Sequence, residues 1–234
     1  MDTTQLSRAP SVALIIAATC ILVGCASGPK DLRPDSVLDG ISQAEQSKGR
    51  ELLDRAAQNA GGKELLLRHA GFRAQLNDVW TNWMGKLLFL RYEPEQRIVV
   101  EAAGSRVDSV EMTLVGGERD GEVWGLENNK VYMQPKGAAR EFTDDEVTML
   151  YVKNPPAILL LPLRLAYADK VAYMGPIEFE GKTYEQVFVT WNRLEPNLNY
   201  DQWVVWIDPD TGNIAKAKCT VREYTGFGGD EAVV

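Results

Sequence analysis

The stretch PPAILLLPLRLAY, residues 155–167, decides how the rest of the chain is read. Ile158, Leu159, Leu160, Leu161, Leu163 and Leu165 fall on every side of a short helix, broken only by Pro162 and Arg164. A helix apolar all round cannot lie on a surface; it is enclosed, or it covers something apolar. What it covers is read from the segments on either side.

Upstream, from Phe72, the runs FRAQLNDVW, GKLLFLRYE, QRIVVEAAG, RVDSVEMTLVGG, GEVWGLE and KVYMQP are short and β-rich, cut by Gly, Pro, Asn and Asp. ERDG and ENNK between them have hairpin-turn composition. Downstream the strand pattern resumes in KVAYMGPIEFEG, KTYEQVFVTWN, DQWVVWIDP and NIAKAKCTVREY, and the tail TGFGGDEAVV reads as frayed. Ahead of the strands, Ser42 and Glu45 are spaced as a capping box. They open a helix over 42–60 with Leu52, Leu53, Ala56, Ala57 and Ala60 on one stripe, closed by Gly61-Gly62. KELLLRHA adds a short helical piece, and Thr143 with Glu146 forms a second capping box before VTMLYVK. Consecutive strands, interrupted by apolar helices and led by another, make an α+β antiparallel fold.

Several strands are apolar on both faces. In DQWVVWID, Trp203, Val205 and Ile207 share one face while Val204 and Trp206 share the other; KLLFLRY is two-faced as well. A single antiparallel layer shows polar residues to solvent, so helices, a ligand or a partner must cover part of the sheet. One reading is an ordinary dry core. The other is an apolar cavity between sheet and lid, lined by Leu159, Leu161 and Leu163, with Trp80, Trp83, Trp191 and Trp203 at its rim. Indole suits a rim because it joins a large apolar area to an N–H that stays solvated. Trp203 is preferred over Trp206 because Val205 and Ile207 continue its face.

The front of the chain has its own logic. Val12 to Val23 is apolar apart from Thr19 and Cys20, too short for the ~20 residues of a spanning helix and suited to a secretory signal. Leu22-Val23-Gly24-Cys25 looks like a bacterial lipobox. That resemblance implies acylation of Cys25 and removal of residues 1–24. Ala26, in place of the aspartate that retains such proteins at the inner membrane, implies the periplasmic face of the outer membrane. At ~0.8 kcal/mol per buried CH₂, several acyl chains such as palmitate hold a protein stably. Residues 25–40, with prolines, glycines and mixed charge, read as a flexible tether; 41–226 form the domain and 227–234 a flexible tail.

A formal charge of −8 argues against nucleic acid as a partner and against docking on anionic lipid. After processing, Cys219 is the only thiol, so no internal disulfide forms; its strand context reads as core. His69 is the sole histidine, a poor basis for a zinc site or a triad, and no serine sits in a nucleophile elbow. DPDTGN, 208–213, begins like a calcium loop but lacks the downstream glutamate and reads as a hairpin turn. Asp144, Asp145 and Glu146 are accounted for by a helix N-terminus. No phosphate loop or dinucleotide fingerprint is present, and no cofactor, metal site or catalytic residue is assigned.

Four features together resemble the superfamily of the lipoprotein-localisation factors LolA and LolB. They are GRELLDRAAQNAGG, the hairpin RDGEVWGL, the leucine-proline run PPAILLLPLRL, and the pair YMGPIEFEGKTYEQVFVTW and WVVWIDPDTGNIAKAK. The likeness spans about Gly49 to Tyr224. It implies an open, strongly curved antiparallel half-barrel with a leading amphipathic helix and apolar helices over its concave face. It also implies a non-enzymatic role, binding a lipid or a lipoprotein's acyl chains. The alternative is an envelope scaffold with a packed core that docks a protein partner.

Overall fold

The computed structural model describes residues 30–65, 71–79, 95–103, 109–220, 222 and 231–233. It is α+β, as the sequence pattern predicts, with two open antiparallel sheets and helices against them. Helices α1 (Asp35–Leu38) and α2 (Gln43–Asn59) lead. The first sheet runs in chain order: β1 (Gly71–Val79), β2 (Glu95–Ala103), β3 (Ser109–Val115), β4 (Val123–Glu127), β5 (Lys130–Gln134) and β6 (Glu141–Thr143). Helices α3 (Glu146–Leu159) and α4 (Leu161–Leu165) follow. The second sheet contains β7 (Lys170–Phe179), β8 (Lys182–Thr190), β9 (Trp203–Ile207), β10 (Ile214–Thr220) and β11 (Glu231–Val233), ordered β11-β10-β9-β8-β7.

Helix α2 starts as expected. Glu45 N donates to Ser42 Oγ at 3.2 Å and Ser42 N donates to Glu45 Oε2 at 2.9 Å, which satisfies two end groups reciprocally. Its buried stripe of Leu52, Leu53, Ala56 and Ala57 packs on the second sheet through β7. Gly49 permits the approach: a Cβ there would lie 2.8 Å from Val171 Cγ1 and 3.0 Å from Tyr173 N. The cap of α3 is displaced from the expected Thr143–Glu146 pair. Asp145 is the N-cap and accepts from Thr148 N at 3.0 Å, while Thr143 Oγ1 accepts from Asp145 N at 3.1 Å. An aspartate side chain reaches N3 as well as a threonine does, so the local competition falls to Asp145.

Residues 155–167 do not form one enclosed helix. Helix α3 carries through Pro155 and Pro156, the chain turns at Leu160, and Pro162 lies in the first turn of α4. Leu161, Leu163 and Leu165 are buried, whereas Ile158 and Leu159 are exposed. The break lets one apolar run serve two packing directions. Two further segments differ from expectation. Residues 231–233 of the tail pair with β10 as β11. Residues 30–41, read as mostly tether, lie against the second sheet. There Val37 is wholly buried, Leu32 and Ile41 pack on Phe188, Val204 and Trp206, and Leu32 N donates to Gln202 Oε1 at 2.7 Å. An apolar residue every few positions in the lead covers the outer face that the two-faced strands left bare.

Two main cores result. Under α3, the first sheet buries Ile98, Val100, Val110, Met112, Trp124, Leu126 and Val131 with Tyr151 and Val152. Under α2 and α4, the second sheet buries Val171, Val187, Val189, Val205 and Ile207 with Leu52, Leu53, Leu161 and Leu165. Trp203, Val205 and Ile207 do share the helix-facing side, and Val204 and Trp206 the other. On the outside of the first sheet, Tyr132 lies across Gly125, its cross-strand partner.

Candidate functional site

The apolar face of the first sheet is unevenly covered. Helix α3 packs over β2 to β5. On β2, Ile98, Val100 and Ala102 are buried. Directly opposite on β1, Leu76, Ala74 and Phe72 are only half-buried. Register explains which side chains share this row: Phe72 pairs Ala102, Ala74 pairs Val100 and Leu76 pairs Ile98, so the alternation on β1 stays in phase with the buried row. Phe72 and Leu76 touch the buried core at its margin, as do Met133 on β5 and Met149 on α3. The result is an apolar strip along β1, with two deformable methionines at the margin of the same core.

One end of the strip is polar. A cleft of about 290 Å³ is lined by Asn77, Glu95, Gln96, Arg97, Val115 and the Gly116-Gly117 turn. Gln96 is buried on the β2 row, with Nε2 donating to Arg97 O at 2.8 Å and to Val115 O at 3.3 Å. Asn77 Nδ2 donates to Glu95 Oε1 at 2.9 Å. A second cleft, about 380 Å³, lies by Glu127, Asn128, Lys130 and Phe142 at the far hairpin.

The residues expected at a cavity are dispersed. Leu161, Trp191 and Trp203 meet around the core of the second sheet, Leu161 buried and the two tryptophans partly so. Leu163 packs with Ala57 and Ala166 beneath α2. Leu159 faces solvent, 37% exposed. Trp80, Trp83, Cys25, His69 and the strand expected at GKLLFLRYE lie outside the described residues. The strip on β1 has no distinguishing sequence signal, because Phe72, Ala74 and Leu76 show an ordinary strand alternation and only the fold leaves them half-buried.

The shifted titratable groups are held by neighbours. Burial first, then its hydrogen bond to Glu111 at 2.5 Å, raises Tyr132 well above the usual phenol range. Burial and a short bond to Glu185 push Tyr173 up to about 12. The Lys182 ammonium, 2.7 Å from Asp208, holds that carboxyl below its ordinary value. Lys182 also stands 3.6 Å from Asp210, so the DPDTGN turn carries a lysine at its carboxylates. Among the described residues no group of three or more His, Cys, Asp or Glu side chains is arranged to hold a metal ion. Cys219 is buried, and no helix among those residues is long and apolar enough to cross a membrane.

No protein-family profile matches the chain, and no curated protein matches it in sequence. Among solved structures it is similar to a LolA superfamily protein from Nitrosomonas europaea, at 9% identity and a TM-score of 0.40, over 75% of this chain and 72% of that one. It is also similar to a DUF1329 family protein from Desulfovibrio piger, at 8% identity and 0.44, over 76% and 75% of the two chains. A third is the Mycobacterium tuberculosis lipoprotein LppX, at 10% identity and 0.28, over 73% and 88%. The resemblance read from the sequence thus recurs among the structural neighbours. With TM-scores below 0.5, these likenesses leave function to be argued from this chain's own geometry.

Proposed function

We propose that the protein is a lipid-anchored envelope protein, acylated at Cys25 on the periplasmic face of the outer membrane, that binds an apolar ligand without chemistry. The half-buried row Phe72-Ala74-Leu76, beside the wholly covered row Ile98-Val100-Ala102, carries the reading. A continuous apolar strip at the margin of a packed core suits a flexible acyl chain, which gains by leaving water at about 25 cal/mol per Å². The ligand is a lipid or the acyl chain of another lipoprotein. The second reading, a scaffold that docks an envelope protein, draws support from Leu161, Leu163 and Leu165, which are committed to packing.

The test is purification of the native protein with mass spectrometry of its N-terminal peptide and of co-purifying lipid, beside Leu76→Asp. Leu76 is only half-buried at the core's margin, so a carboxylate there keeps part of its hydration in the empty protein and is penalised much further when a chain covers it. The expected result is Cys25 carrying a diacylglyceryl thioether and an acylated amino group, and bound lipid that falls several-fold in the variant while its melting temperature stays within a few degrees. Lipid-free wild type that captures one protein partner refutes the ligand reading in favour of the scaffold.

A further inference from the structure

The loop joining β8 to β9 presents an exposed apolar tip. Leu198 is 73% exposed and Tyr200 39% exposed. The loop is braced to hold them there. Asn197 is buried and its Oδ1 accepts from Asn199 N at 2.9 Å and Tyr200 N at 3.0 Å, while its Nδ2 donates to Glu195 O. Gln202, wholly buried, donates from Nε2 to Leu194 O at 3.1 Å and fixes the loop's base. A leucine at the head of an internally bonded turn is displayed, because the turn cannot fold it back.

The same Gln202 holds the front of the chain. Its Oε1 accepts from Leu32 N, and Arg222 donates to Lys30 O, so the lead is clamped beside the loop's base. Only four residues lie between Cys25 and Lys30, five Cα steps that span at most about 18 Å. Leu198 is four residues from Gln202, at most about 14 Å. The lead toward Cys25 therefore leaves the domain beside the base of the loop that carries Leu198. Charges near the clamp are mixed: Arg33 pairs with Asp31 at 2.8 Å and Arg222 N donates to Asp201.

We infer that this loop is a second, non-covalent contact with the bilayer: Leu198 enters the acyl boundary, Tyr200 sits at the headgroups, and together with the clamped lead they fix which end of the domain faces the membrane. The inference rests on acylation of Cys25. Apolar insertion, with tyrosine in the interface, drives the contact, because mixed local charge and a net charge of −8 offer no attraction to anionic lipid.

The test uses the full acylated protein reconstituted into phosphatidylethanolamine/phosphatidylglycerol vesicles. A polarity-sensitive dye is placed at Leu198→Cys, Tyr200→Cys or, as control, Lys136→Cys on the first sheet, an exposed site. Cys219 is buried and leaves the introduced thiol as the reactive one in the folded protein. The expected result is a blue shift at 198 and 200, with quenching by nitroxide-labelled lipid at least threefold stronger than at 136 and unchanged by 0.5 M salt. Dyes at 198 and 200 that stay in water, on protein whose N-terminal peptide is acylated, overturn the inference and leave the anchor standing. An N-terminal peptide without acyl groups, on protein that does not co-float with vesicles, overturns the anchor and this inference with it.

Discussion

Gly125→Ala tests the packing of Tyr132 on the outer side of the first sheet. Gly125 faces Tyr132 across the β4–β5 pair, and a Cβ built there would stand 2.3 Å from Tyr132 Cζ and 2.4 Å from its hydroxyl. The ring must leave. It would forfeit the 2.5 Å bond to Glu111, worth ~1.5–3 kcal/mol to a charged acceptor. It would also lose the Arg140 guanidinium, 4.4 Å from the ring centroid and worth ~0.5–1 kcal/mol at an exposed site, and the edge contact with Phe142 at 5.7 Å. Against this, alanine is favoured over glycine in a strand by ~0.5–1 kcal/mol. The net expectation is a loss of about 3 kcal/mol, read as a lower urea midpoint at unchanged slope. In a Tyr132→Ala background the same substitution should be neutral or stabilising by up to ~1 kcal/mol, since nothing remains to displace. A Gly125→Ala protein as stable as wild type, or equally destabilised in both backgrounds, refutes the reasoning.

Two further outcomes follow from the same geometry. Leu163→Ala, which hollows a buried contact with Ala57 and Ala166, should cost ~2–5 kcal/mol and lower the melting temperature while bound lipid per folded molecule is unchanged. Asp208 has its folded value depressed, by the Lys182 hydrogen bond foremost, so its contribution is present above the usual carboxylate value and lost as pH falls through the folded one. The melting temperature of wild type should accordingly drop more steeply below about pH 4 than that of Asp208→Asn, and parallel curves would contradict the pairing.

Much of the architecture is legible in the sequence. The capping box of Ser42 and Glu45, the ENNK turn with Asn128 and Asn129 at positive φ, and the two faces of β9 are local or period-two signals. Such signals depend on chain geometry within a few residues, which sequence states directly. Tyr132 and Gly125 could be placed on facing strands, but nothing in their order announces the stacked ring. Asp145 taking the cap from Thr143 is a contest between neighbours of similar capping strength, settled by how the chain enters α3.

The α+β class, the turn residues, the amphipathic leading helix and the apolar excess of residues 155–167 were determined by the sequence alone, because each is a matter of side-chain type at fixed spacing. Which surface each apolar residue meets was decided only by the tertiary structure. Leu163 is buried and Leu159 exposed within one leucine run, since the turn at Leu160 redirects the chain. Val37 and Leu32, written in a stretch that reads as tether, help cover the outer face of the second sheet, packing on the apolar cluster of Phe188, Val204 and Trp206. Leu76 stays half-buried beside wholly buried Ile98, its cross-strand partner, with α3 packed over β2 to β5. Burial is a property of two surfaces meeting, and a linear order of residues carries only one of them at a time.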